Sequence, residues 1–287
     1  MTEATSILPM VLDTDTYNEV DDQFALAYAL LSPERLKVEA VCAAPFLNRR
    51  VATPEEGMEK SLREIHKIMG LAGRSAPVYE GARAFGPAES DLSPAAQAII
   101  RLALRQREGP LYVVCIASPV NVAHALCHAP EIRQRITVIW LGGHSDGHPD
   151  TNEFNLKEDL WATRTLLDSG VPLVHIPCLG VASQLWTSLA ELEKWLGGKN
   201  ALCDGLIDLF RSYRPDHFAW GKVLWDVAAV ARLINPEWVP CASRPSPLVT
   251  DDLHWAFDPR RPLIQQAYAC QRNLIFADLF ERLMNAE

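Results

Sequence analysis

Short apolar runs alternating with helical patterns set the tightest limit on what this chain can fold into. "ILPMVLD", "LKVEAVCAA", "LYVVCIA", "ITVIWLGG" and "PLVHIPC" have strand length and almost no polar alternation. Between them, "DDQFALAYALLS", "GMEKSLREIHKIMGLAG", "PVNVAHALCHAP" and "EDLWATRTLLDSG" read as helices, the second ending at Gly73 and the last at Gly170. A strand without alternation is buried on both faces. The pattern therefore predicts an α/β chain with a mostly parallel, Rossmann-like sheet and helices on both faces. "SLAELEKWLGG", "ALCDGLIDLFRSYR" and "LWDVAAVARLI" predict further helices, with a helical segment near residues 185–222 lying over the sheet. No low-complexity linker or repeat interrupts the 287 residues, so one domain over 1–287 is expected.

The net charge of −9 argues against a nucleic-acid binder that relies on phosphate contacts, and suits a cation or a neutral small molecule. Seven cysteines are scattered without a CxxC pair. Cys115 and Cys178 lie in apolar runs and read as small core residues. The start, "MTEATSILPM", lacks the basic and long apolar regions of a secretory signal. No run approaches the roughly 20 apolar residues that span a bilayer. The expectation is a reduced, cytoplasmic protein with no membrane partner.

"VLDTDTYNEVDDQFALAYAL" places Asp13 and Asp15 at the end of the first strand and Asp21 and Asp22 at the start of the next helix. Ligands of parallel sheets bind beyond the carboxyl ends of strands, so these residues share a functional rim. An N-cap role accounts for Asp21 and at most one more aspartate, not for four converging on one turn. Four carboxylates at one turn raise one another's pKa unless a cation neutralises them. Hard oxygen donors suit Ca²⁺ or Mg²⁺. The same letters also fit the DxDxT motif of haloacid-dehalogenase-type phosphatases, with Asp13 as nucleophile and Asp15 as general acid. That reading needs a late acidic pair. Asp251 and Asp252 have no preceding strand, and Asp21–Asp22 stays unexplained.

Three later stretches weigh against it: "ASPVN" (117–121), "TNEFNL" (151–156) and "LWDVAAVARLINPE" (224–237). With the acidic turn, in this order, the set resembles the inosine-uridine-preferring nucleoside hydrolases, from about Ile7 to Glu237. The resemblance implies the nucleoside-hydrolase fold, hydrolysis of the N-glycosidic bond of a ribonucleoside, one Ca²⁺ and a homo-oligomer. It implies Ca²⁺ ligands at Asp15, Asp22, Asp226 and the Val120 carbonyl. Asp15 is also implied as the base that takes the proton of water. Asp21, Glu153 and Asn155 are implied to grip the ribose, and Asp13 to orient the loop. A relative that binds without turnover is the alternative.

The chain departs from the family pattern. "TYNEV" makes the acidic motif two residues longer and adds Asn18 and Glu19. The asparagine expected after the second strand falls on Phe46, with Asn48 nearby but out of register. Gly147 stands where another asparagine is expected, with Asn152, His144 and His148 as substitutes. Trp225 occupies the place of a histidine proton donor in many members. Such a ring would stack on a base and favour purines. His217, in "DHFAWG", is a further possible proton donor. Trp161 and Trp186 read as core.

Overall fold

The structure, a computed structural model, describes residues 7–88 and 92–286; residues 1–6, part of the start read above for a targeting signal, lie outside the described residues. The strands in chain order are β1 (Leu8–Thr14), β2 (Leu36–Ala43), β3 (Val78–Glu80), β4 (Leu111–Cys115), β5 (Ile136–Leu141), β6 (Leu173–Ile176), β7 (Trp186–Thr187), β8 (Lys222–Val223), β9 (Cys241–Pro245), β10 (Leu248–Val249), β11 (Trp255–Ala256) and β12 (Leu263–Ala267). Eight of them form one sheet in the order β3-β2-β1-β4-β5-β6-β12-β9. Its neighbours are parallel except β12 and β9, which run antiparallel at one edge. The order reverses between β1 and β4, which makes their carboxyl ends the topological switch point. The register sets Asp13 opposite Cys115 of β4 and Cys42 of β2 there.

The helices are α1 (Asp22–Leu30), α2 (Pro54–Leu71), α3 (Pro94–Ala103), α4 (Val120–His128), α5 (Phe154–Glu158), α6 (Leu160–Asp168), α7 (Leu189–Leu196), α8 (Ala201–Ser212), α9 (Val227–Ile234) and α10 (Arg272–Met284). Successive β1 side chains enter opposite cores. Met10 and Leu12 pack with α1, α2, α7, α8, α9 and α10, while Val11 packs with α3, α4 and α6. This is the two-faced burial that the unalternating apolar runs require. Every residue of α1 is buried, because the helix is apolar nearly all round and lies among α2, α9 and α10.

Two differences from the sequence expectations have local causes. The helix expected over "EDLWATRTLLDSG" is broken at Asp159, whose carboxylate accepts the Ala162 N–H to cap α6 and the Gly86 N–H with its other oxygen. Trp186 is 48% exposed rather than core, since it lies on the short hairpin β7–β8. Helices α3 and α10 and strands β3, β9 and β12 go beyond the sequence reading. Helices α2 and α6 do end just before Gly73 and Gly170, both at positive φ. No helix among the described residues is long and apolar enough to cross a membrane.

Candidate active site

A cavity opens at the switch point. Its lining includes Asp15, Asn18 and Glu19 from the loop after β1, and Asp21 and Asp22 at the start of α1. The loop after β5 adds His144, Asn152 and Glu153, and α5 adds Phe154 and Asn155. Cys178 and Leu179 follow β6, and Trp225 and Asp226 precede α9. Asp21, Glu153 and Asp226 are the N-cap residues of α1, α5 and α9. A helix N-terminus favours negative charge, which partly offsets the cost of burying these acids.

The acidic turn is held from several sides. Asp13 is fully buried at the end of β1; Asn121 Nδ2 donates to its Oδ1 at 2.8 Å and the Cys115 thiol to its Oδ2. Burial, opposed by those two donors, leaves its pKa at about 7. Asn121 in turn accepts the Ala82 N–H, so it ties β1 to the chain after β3. Thr14 Oγ1 donates to Asp22 Oδ1 at 2.5 Å. Asn18 Nδ2 donates to Asp15 Oδ2 at 3.0 Å, and Asn48 Nδ2 donates to Asn18 Oδ1 at 2.7 Å. Asn48 therefore acts on Asp15 through Asn18. The inserted "TYNEV" is the reason that relay exists.

One carboxylate oxygen from each of Asp21, Asp22 and Asp226 lies within 4.8 Å of the other two. Asp21 Oδ1 is buried without a hydrogen-bond partner, while its Oδ2 accepts the Trp225 N–H at 3.2 Å. Burial and then the charge of Asp21 push Asp22 up to about 8. Asp226 is raised by burial and by Asp21 and Asp22; Asp15 by burial, Asp22 and Glu158. Asp21 rises only to about 6, because Lys222 opposes its burial. Lys222 Nζ sits 3.9 Å from Asp21 Oδ1 and pairs with Glu19. Three hard anionic donors at this spacing, one with an unsatisfied buried oxygen, fit a divalent oxygen-liking cation.

A second part of the lining is built on Glu153. Its carboxylate accepts the N–H groups of Gly143, Asn155 and Leu156, at 2.8, 3.0 and 3.0 Å. These bonds oppose burial, which still holds its pKa above the ordinary value. Asn155 Nδ2 donates to the Leu141 carbonyl at 3.1 Å, and Asn155 lines the cavity. Trp225 is partly buried and lines the cavity beside Asp226.

Among the residues singled out from sequence, the structure gathers Asp15, Asp21, Asp22, Glu153, Asn155, Trp225 and Asp226 around one cavity. Asp13 and Asn48 stand behind it. The three-carboxylate cluster contains Asp21 together with Asp22 and Asp226, whereas Asp15 lies alongside and carries the Asn18 bond. Val120 opens α4, fully buried, and is not among the lining residues. His217 also lies outside the lining. It packs on Phe210 and Trp220, and its Nε2 meets the Arg211 carbonyl. Phe46 is fully buried. Cys178 is buried but lines the cavity rather than the core alone. Asp251 and Asp252 are exposed on a turn and contribute nothing to the cavity. Asn121, Thr14 and Lys222 were not singled out from sequence. Only Asn121 left a signal, as the last residue of "ASPVN".

A sheet with the 3-2-1-4-5-6 order and an acidic, cation-fitting cavity at its switch point define the ligand site of a doubly wound α/β protein. The family "Inosine-uridine preferring nucleoside hydrolase" matches residues 10–254, and the chain belongs to it. Its members are metal-dependent enzymes that hydrolyse N-glycosidic bonds of ribonucleosides. The phosphatase alternative falls with that assignment. The pyrimidine-specific ribonucleoside hydrolase RihA of Salmonella paratyphi A is 28% identical over 263 residues, covering 80% of each chain. The RihA of Escherichia coli O1:K1 / APEC is also 28% identical, with the same coverage. Among solved structures, the inosine-guanosine nucleoside hydrolase superposes with a TM-score of 0.78 at 16% identity, over 97% of this chain and 99% of that one. The plant nucleoside hydrolase PpNRh1 gives 0.77 at 19%, over 98% and 100%. These two support the fold.

Proposed function

We propose that this enzyme is a calcium-dependent ribonucleoside hydrolase that prefers purine nucleosides and releases free base and ribose. The observation that carries the reading is the buried cluster of Asp21, Asp22 and Asp226 at the switch point, beside Asp15. Asp22, Asp226 and Asp15 would hold the cation, with the Val120 carbonyl as a further ligand; Asp21, whose Oδ1 is unsatisfied, either joins them or holds a ribose hydroxyl. When bound, a Ca²⁺ supplies Lewis-acid polarisation of a water and an anchor for the sugar hydroxyls. Asp15, steadied by Asn18, takes the proton of the attacking water. Breaking the bond builds positive charge on the sugar, and the surrounding carboxylates stabilise it. Glu153 and Asn155 orient the ribose.

The purine preference rests on Trp225. Its indole offers a flat face but no transferable proton, and base-aromatic stacking is worth about 1–3 kcal/mol. A purine has the larger face. The likeness to RihA, named as pyrimidine-specific, favours the opposite choice. Steady-state rates on inosine and uridine, with calcium and with a chelator, test both parts. A wild type faster on uridine removes the stacking account, and turnover unaffected by chelation removes the cation. A homo-oligomer and a cytoplasmic setting belong to the same reading.

A further inference from the structure

A carboxylate that takes a proton from water beside an ion must be held in one orientation, and most of what surrounds Asp15 pushes it away. The charged groups that act on it, Asp22, Glu158, Asp21 and Glu19, are all acids. Asp22 shares a hydrogen bond with it, but as a fellow carboxyl. Asn18 brings a neutral donor, with Nδ2 3.0 Å from Asp15 Oδ2. An amide side chain donates at one end and accepts at the other, so its effect on Asp15 depends on which end faces the carboxylate.

A chain of bonds that begins on the backbone fixes that end. The Arg50 N–H can only donate, and it meets Asn48 Oδ1 at 2.7 Å. Asn48 therefore turns Nδ2 to Asn18 Oδ1, at 2.7 Å, and Asn18 turns Nδ2 to Asp15. The donors run one way, from main chain to carboxylate, and each bond polarises the next. The backbone around Asn18 is pinned as well. Its N–H closes a turn on the Asp15 carbonyl at 2.7 Å. Arg50 Nη1 donates to the Tyr17 and Asn18 carbonyls at 2.9 and 3.0 Å, and its guanidinium lies 4.5 Å from the centre of the Tyr17 ring. The Leu47 N–H donates to Glu158 at 2.8 Å, which ties the loop bearing Asn48 to α5. Asn18 is buried and lines the cavity, whereas Asn48 is partly exposed and stands outside the lining.

We propose that Asn18 is a positioning residue for the reaction: its amide, oriented by Asn48, holds Asp15 for proton transfer from the attacking water. This rests on the hydrolase reading and adds two residues to it. The inserted "TYNEV" supplies from the acidic turn an asparagine that the loop after β2 lacks at the apolar, fully buried Phe46. The water proton passes to Asp15, and neither amide gives one up.

The test is a double-mutant cycle of Asn18→Ala, Asn48→Ala and the pair, with Asn48→Asp beside it. Steady-state rates are read at saturating calcium on inosine, uridine and p-nitrophenyl riboside. Asn18→Ala is expected to lose about 10–100-fold in kcat, as for groups that hold a ligating carboxylate, with KM within about threefold of wild type. Asn48→Ala should lose less, and the pair should lose no more than Asn18→Ala alone, since Asn48 reaches Asp15 through Asn18. Asn48→Asp keeps the acceptor for the Arg50 N–H and loses the donor, so it should fall with Asn48→Ala; a mere loop tie would survive that change. Calorimetric calcium titration of the metal-free proteins repeats the cycle without turnover, with affinity about tenfold weaker in Asn18→Ala and no weaker in the pair. The two Asn48 variants, on a partly exposed loop, carry the test even where Asn18→Ala melts below the assay temperature. Losses that add across the cycle overturn the inference. Asn18→Ala within about threefold of wild type in both kcat and calcium affinity also overturns it, as does Asn48→Asp as active as wild type. A wild type that binds calcium but cleaves none of the three substrates overturns the hydrolase reading, and the calcium cycle then decides whether Asn18 positions Asp15. A wild type that neither binds calcium nor cleaves them overturns both.

Discussion

Replacing Asp226 with asparagine should stabilise the metal-free protein while removing its response to calcium. Three carboxylate oxygens lie within 4.8 Å of one another. At an effective dielectric constant of about 20, two unit charges at that separation repel by about 3.5 kcal/mol. Asp226 takes part in two such pairs, so full ionisation would cost about 7 kcal/mol that the variant does not carry. Protons relieve part of that cost, as the raised pKa values of about 6 for Asp21 and about 8 for Asp22 reflect. The realised gain is therefore a few kcal/mol. At about 2–4 °C per kcal/mol, it should raise the melting temperature by roughly 5 °C or more at pH 8. Carboxylates whose folded pKa exceeds the unfolded value favour the fold below both values and lose that advantage as pH rises through the folded one. The wild type in chelator should thus soften from about pH 4, the ordinary carboxylate value, up to the values of about 6 and about 8 of Asp21 and Asp22, and the gap to the variant should narrow at pH 5. Saturating calcium should restore wild type, by about 2.7 kcal/mol at a hundred times Kd, and leave the variant unmoved. The assay is a thermal melt at both pH values, with calcium and with chelator. A variant that melts below wild type in chelator at pH 8, or that gains as much from calcium, refutes the reasoning.

Other outcomes follow from the same geometry. Asp15→Asn should lose about 10²–10⁴-fold in kcat while its far-ultraviolet circular dichroism is unchanged; activity within a few-fold of wild type would remove Asp15 from the mechanism. Calorimetric calcium affinity should climb from pH 6 to pH 8, because protons on Asp21 and Asp22, with pKa values of about 6 and about 8, compete with the ion; a flat profile would place the ion elsewhere. Lys222→Met should cost about 2 kcal/mol by denaturant titration, less than for a fully buried pair because the Glu19 side chain is 36% exposed. A loss under 0.5 kcal/mol on the scale of exposed pairs would make the contact incidental.

What the sequence disclosed follows from which forces are local. β1, β2, β4, β5 and β6 were legible because a strand buried on both faces must be apolar throughout. β12 alternates exposed and buried residues, and β9 is half polar at the sheet edge, so neither announces itself. α3 was missed although Ser93 caps it and Pro94 follows, a start signal that is visible in the letters. At the site, the acidic turn, Glu153, Asn155 and Asp226 were readable as motifs. Lys222 was not, because nothing near it in sequence foretells a partner 203 residues away. The role of Asn18 needed the fold too, since its insertion is visible but its bond to Asp15 is not. The histidine expectation went to His217, which the loop gave to an aromatic stack, while His144 entered the cavity because Glu153 and Trp255 hold its loop there.

Asp21 and the backbone of Trp225 meet across 204 residues of chain. A nascent chain emerging from the ribosome therefore carries the first two acids of the cluster long before the third exists. Helix α1, buried on every side, also lacks part of its cover until α9 and α10 arrive. Cation capture then belongs to the end of synthesis rather than to its beginning. Elongation stalled short of residue 226 should yield chains blind to calcium. The ion, on this view, is a seal applied to a finished molecule and not a seed around which it forms.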